Sequence, residues 1–93
     1  MPKWTFITNH GIVFLIISRQ NRITAREIAK EIGITERSVL RIISDLVRGG
    51  YIQRKREGRR NSYTIQPNMT LRHGATKQLS VVDLLTALDS RID

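Results

Sequence analysis

The stretch Thr24-Ala25-Arg26-Glu27-Ile28-Ala29-Lys30-Glu31-Ile32-Gly33-Ile34-Thr35-Glu36-Arg37-Ser38-Val39 decides how this chain folds. Thr24 and Glu27 have the spacing of a capping box, in which each side chain satisfies a free backbone N–H of the other, so a helix starts here. Ile28, Ala29 and Ile32 recur at helical spacing while Arg26, Lys30 and Glu31 stay outside that stripe. Gly33 ends the helix, Ile34 continues a short connection, and Thr35 is a good N-cap for a further helix.

That further helix runs from Glu36 to Arg48 and has two distinct faces, because each residue advances about 100° around the axis. Val39, Ile42, Ile43 and Leu46 fall together as a core stripe, whereas Arg37, Leu40, Arg41, Ser44 and Arg48 fall on the opposite side. Two short helices joined by a glycine-containing turn make a helix-turn-helix pattern, and the cationic strip is its candidate reading face. Gly49-Gly50 stops the helix. Tyr51 to Arg56 then reads as a strand, Glu57 to Asn61 as a turn, and Ser62 to Gln66 as the returning strand, with Tyr63 and Ile65 toward the core. The product is a hairpin, or wing, whose segment 54–61 is strongly basic.

Working outward, Thr8 and Asn9 are caps for a helix from about His10 to Gln20, whose run Ile12-Val13-Phe14-Leu15-Ile16-Ile17 is apolar on every side. Such a helix needs more than one covering neighbour. At the other end, Ser80 and Asp83 signal a helix over 80–92 with Val81, Leu84, Leu85, Leu88 and Ile92 at helical spacing, after an aperiodic connector over 68–79. The first and last helices either pair two chains into a homodimer or bury each other within one. The expected architecture is mainly α with a small β-hairpin, an α+β winged helix-turn-helix. It has a three-helix core within residues 8–67, a wing and a C-terminal helix, all in one domain spanning 1–93.

The charge distribution bears on the partner. Sixteen Lys and Arg against eight Asp and Glu give a net charge of +8, a surface that favours a polyanion. Arg37 to Arg60 is opposed only by Asp45 and Glu57 and carries most of this excess. The absence of Cys excludes disulfide and thiolate chemistry, and the apolar run at 12–17 is far shorter than the ~20 residues of a membrane span. The expected location is therefore cytoplasmic, on the nucleoid. His10 and His73 lie in separate segments without a carboxylate pair or a glycine-rich phosphate loop, and Asp83 with Asp89 make too thin a constellation for metal-assisted hydrolysis. No enzyme activity, cofactor or metal is expected.

A major groove admits an α-helix and displays donors, acceptors and methyl groups that distinguish the bases. Arg37 and Arg41 suit bases or phosphates, with Ser38 and Ser44 as secondary partners. Leu40 either meets a thymine methyl or packs against the wing or a neighbouring helix. Thr24, Arg26 and Thr35 lie at helix N-termini, where phosphate is attracted. Their hydroxyls also serve as plain caps. Arg54, Lys55, Arg56, Arg59, Arg60 and Asn61 would place the wing on a backbone or in a minor groove, although such charge also simply protects a strand edge from aggregation.

The segment from Ile23 through Gly33-Ile34-Thr35, on through Ile42-Ile43-Ser44-Asp45-Leu46-Val47 to Gly50-Tyr51-Ile52 and the Gly58-Arg59-Arg60-Asn61 wing, resembles compact bacterial winged-helix transcriptional regulators of the MarR and ArsR groups. The resemblance covers roughly residues 8 to 67. It implies a homodimer on pseudo-palindromic double-stranded DNA, with the recognition helix in the major groove and the wing beside it. Members of the MarR group have longer terminal helices that also form a ligand pocket, so the resemblance does not extend to an effector. The competing readings are a protein-interaction module and a non-specific or RNA-directed nucleic-acid binder.

Overall fold

The computed structural model describes residues 7–67, 69 and 80–89. In chain order its elements are α1 (Asn9–Arg19), α2 (Ala25–Ile32), α3 (Glu36–Arg48), β1 (Ile52–Glu57), β2 (Arg60–Ile65) and α4 (Val81–Asp89). The expected α+β architecture of helices with one hairpin is present. The connector 68–79, Met69 apart, and the part of the C-terminal helix expected beyond Asp89 lie outside the described residues.

Local chemistry starts each helix. Thr8 Oγ1 accepts from the Gly11 N–H at 3.2 Å, so α1 begins at Asn9 and ends at Arg19 rather than spanning 10–20. The Thr24 and Glu27 capping box is complete in both directions. Thr35 Oγ1 accepts from the Ser38 N–H at 3.1 Å, and Ser80 with Asp83 bond reciprocally at the start of α4. The end of α3 is equally specified. Gly50 takes φ 84°, its N–H donates to Val47 O, and the Tyr51 N–H donates to Leu46 O at 2.9 Å, a paired closure that needs a left-handed residue at Gly50.

One apolar cluster holds these elements. Val39 and Ile43 of α3 are fully buried, as are Val13 and Ile17 of α1 and Ile28 of α2. The Phe14 and Tyr51 rings meet edge to face at 6.4 Å. The expectation that α1 is apolar on all sides is met unevenly: Val13, Phe14 and Ile17 are buried, whereas Ile12, Leu15 and Ile16 are half-buried. Val81 of α4 joins the cluster at 1% exposure, and its N–H donates to Met69 O at 2.7 Å.

The wing differs from its expected boundaries. The five-residue turn at 57–61 is a two-residue turn, Gly58-Arg59, because Glu57 pairs with Arg60 and the strands stay in register down to Ile52 opposite Ile65. Gly58 has φ 63° and Arg59 does not share its positive φ, the pattern of a type II′ hairpin turn, whose twist matches that of the strands. The strands consequently run 52–57 and 60–65 instead of 51–56 and 62–66. Ile52 is also a core residue at 1% exposure, whereas the rest of β1 is exposed. The Tyr63 N–H donates to Asn21 O at 2.9 Å, tying the base of the hairpin to the turn after α1.

Truncating Ile43, at the centre of the cluster, removes packing that nothing nearby replaces. Ile43→Ala should cost about 2–5 kcal/mol, read in urea as a lower midpoint with little change in slope.

Candidate nucleic-acid interface

Burial of Val39, Ile42, Ile43 and Leu46 fixes the rotation of α3 about its axis. Arg37, Leu40, Arg41 and Arg48 are therefore exposed on the other side, with Ser44 half-buried at its edge. Neither Arg37 nor Arg41 forms a hydrogen bond or ion pair with the described residues, so both guanidiniums are available to an incoming anion. Thr35 and Ser38 are engaged in the cap, since the Thr35 hydroxyl donates to Ser38 Oγ at 2.9 Å. That geometry leaves the Ser38 hydroxyl proton for an outside acceptor. Arg26 is exposed in the first turn of α2.

The wing residues divide into two groups. Arg54, Lys55 and Arg59 are exposed, with Arg59 on the turn itself. Arg56 is exposed too, but its Nε donates to Gly58 O at 2.9 Å and braces that turn. Asn61 is half-buried and pairs in register with Arg56.

Arg60, exposed like the other wing cations, also has partners within the chain. Its Nη1 donates to Arg22 O at 3.2 Å and to Glu27 Oε1 at 3.4 Å, while Arg22 Nε lies 3.6 Å from Glu57 Oε1. The physical reason is the tight turn, which brings Arg60 into β2 and alongside the start of α2. Glu27 and Arg22 thus have positioning roles that sequence reasoning missed. Glu27 was legible only as a capping residue, and nothing local signals a partner more than thirty positions away.

Glu27 is the hub of this arrangement. Its Oε1 accepts from the Thr24 N–H and the Thr24 hydroxyl, both at 2.9 Å, as well as from Arg60. The Thr24 backbone bond, then the Thr24 hydroxyl, then the charge of Arg60 hold its carboxyl below the ordinary glutamate range. A second cross-link joins α1 to α3, where His10 Nε2 lies 2.8 Å from Asp45 Oδ2. His10 is exposed and engaged with this partner. Beside the pair a cavity of about 470 Å³ lies between α1, the end of α3 and α4, lined by His10, Phe14, Leu46, Tyr51, Val81 and Leu84 among others. Among the described residues no group of His, Asp and Glu is arranged to hold a metal ion, and no helix is long and apolar enough to cross a membrane.

Three core helices, a cationic face of α3 turned from the core and a two-stranded wing leave one description. The fold is a winged helix-turn-helix. Residues 12–53 match the family model described as winged helix-turn-helix DNA-binding. The winged helix-turn-helix is also similar to the crystal structure of MepR, a transcription regulator of the Staphylococcus aureus multidrug efflux pump MepA. The TM-score is 0.59 at 22% identity, covering 89% of this chain and 58% of MepR. A MepR mutant from a multidrug-resistant S. aureus clinical isolate superposes with TM-score 0.58 at 23% identity, over 88% of this chain and 56% of that one. A second such mutant gives 0.55 at 19% identity, over 100% and 67%. The chain thus spans little more than half the length of MepR. A comparison with curated proteins gives no match.

The hub makes stability depend on pH. A carboxyl whose folded-state pKa is depressed contributes stability above its unfolded pKa and loses it as pH falls through the folded value. Wild type should therefore exceed Glu27→Gln in melting temperature at neutral pH, and the gap should close as pH drops through and below the ordinary glutamate range. A gap that stays constant with pH would contradict the assignment.

Proposed function

We propose that this chain is a sequence-specific transcriptional regulator that binds double-stranded DNA, with α3 in the major groove and the wing on the adjacent backbone or minor groove. The observation that carries this reading is the solvent side of α3. Two guanidiniums without a partner among the described residues, Arg37 and Arg41, stand there with Ser44 at the edge and Arg48 beyond. Such side chains pair bidentately with guanine acceptors or with phosphate oxygens. Thr35 and Ser38, at the N-terminus of α3, and Arg26, in the first turn of α2, are placed to hold phosphate and set register. Arg54, Lys55, Arg56 and Arg59 track the backbone, while Arg60 and Asn61 serve the wing from its inner side. The similarity to MepR supports a regulatory role, and a regulator of this type works in the cytoplasm, on the nucleoid, without catalysis or a cofactor.

The active unit is proposed to be a homodimer through α1 and α4. Half-buried Ile12, Leu15 and Ile16 on α1, and Leu84 and Leu85 on α4, leave apolar surface on the two helices that carry no reading residues. A two-fold dimer places its reading helices about one DNA turn apart, ~34 Å.

The test is selection from a randomised duplex pool followed by a salt titration. An enriched inverted repeat with half-sites about 10 base pairs apart is the expected product. Neutralising roughly 6–10 phosphates per dimer should give a slope of log K against log salt near −5 to −9. Binding without an enriched motif would make the chain a non-specific binder, and no binding at low salt would move it to protein interaction. Arg37→Ala combined with Arg41→Ala should abolish preference for the selected site, whereas Arg59→Ala, which removes one phosphate contact from each protomer, should weaken all duplexes alike and reduce the magnitude of the salt slope by about 2.

A further inference from the structure

We propose that Leu40 is a specificity-determining residue that reads the 5-methyl group of a thymine in the major groove. The inference deepens the DNA reading above and rests on it. Leu40 is the large hydrophobic residue left exposed among those described, at 48%. Its neighbours Val39, Ile42 and Ile43 are buried at 0%, 6% and 0%, and Leu40 falls on the exposed flank of the helix beside that stripe. Among the described residues neither the wing nor a neighbouring helix, the other place open to it from sequence, covers it.

Position and chemistry then narrow the occupant. Leu40 sits on the second turn of α3, with Arg37 one turn before it, Ser44 one turn after it and Arg41 beside it. The N-terminal part of a recognition helix is the part that contacts base edges. A leucine side chain has no donor or acceptor. Set against guanine O6 and N7, the adenine or the cytosine amino group, it would strip water from a polar edge without replacing the hydrogen bond. The thymine methyl is the apolar group displayed in the major groove. An apolar protein partner would call for further exposed apolar side chains around Leu40, and its neighbours one turn either way outside the buried stripe are Glu36, Arg37 and Ser44, while Val47, two turns on, packs against the core.

The experiment uses the full chain and the duplex enriched by selection, with its thymines replaced one at a time by uracil, which pairs identically but lacks the methyl group. At one thymine in each half-site, uracil should weaken binding about three- to fivefold, the effect of uncovering one methyl group. Leu40→Ala should bind the thymine and uracil duplexes equally at that position and keep the wild-type salt slope. Because Leu40 lies outside the core, its melting temperature should match wild type, so a loss of discrimination is not a loss of folding. Indifference to uracil at every position, a uracil penalty that persists in Leu40→Ala, or enriched half-sites without thymine would each overturn the proposal and leave the DNA reading intact. Failure to bind any duplex would remove both.

Discussion

The structure depends on the burial of one stripe of α3. Val39, Ile42, Ile43 and Leu46 are each no more than 8% exposed, and Ile-to-Val-sized truncations in such a cluster are felt because interiors are close-packed. Rotated by a single residue, about 100°, in one sense, α3 would turn Ser38, Arg41 and Asp45 into the place of the stripe and desolvate their charges. That penalty is several kcal/mol for a buried charge. The hydrophobic stripe therefore sets where every polar side chain of α3 points, and the exposed cationic face is a consequence of the core.

The second constraint is the attachment of the wing. A two-stranded hairpin is marginal on its own, and β1 beyond Ile52 is exposed along its whole length. It is held at its base by Ile52 and Tyr63 in the core, by the bond from Tyr63 to Asn21, and by Arg60 reaching Arg22 and Glu27. The capping box of α2 thus has two tasks: it starts the second helix and gives the wing a charged anchor. The ion pair is exposed and weak by itself, so its effect is orientation of the hairpin more than overall stability.

Much of this was legible in the residues because it rests on local rules. The bounds of α2 and α3 follow from Thr24, Glu27, Gly33 and Thr35, whose capping chemistry acts within one helical turn, and the two faces of α3 follow from its 3.6-residue period. The α1 boundary slipped by one residue because Thr8 and Asn9 are both competent caps. The wing turn was read too long because Arg59-Arg60-Asn61 is polar like a loop, while the strand register that draws Arg60 and Asn61 into β2 is set by pairing across the hairpin.

What the sequence by itself determined is the helix-turn-helix, the presence of a basic hairpin and the identity of the cations on α3, since propensity, capping and periodicity are properties of short segments. Only the tertiary structure decided that Arg60 reaches Glu27 and the Arg22 carbonyl, that His10 is tied to Asp45, that Ile52 belongs to the core and that Leu40 does not. Each of those outcomes joins residues far apart in the chain or measures exposure against the assembled core. Chain proximity carries no information about such distances until the helices and hairpin have packed.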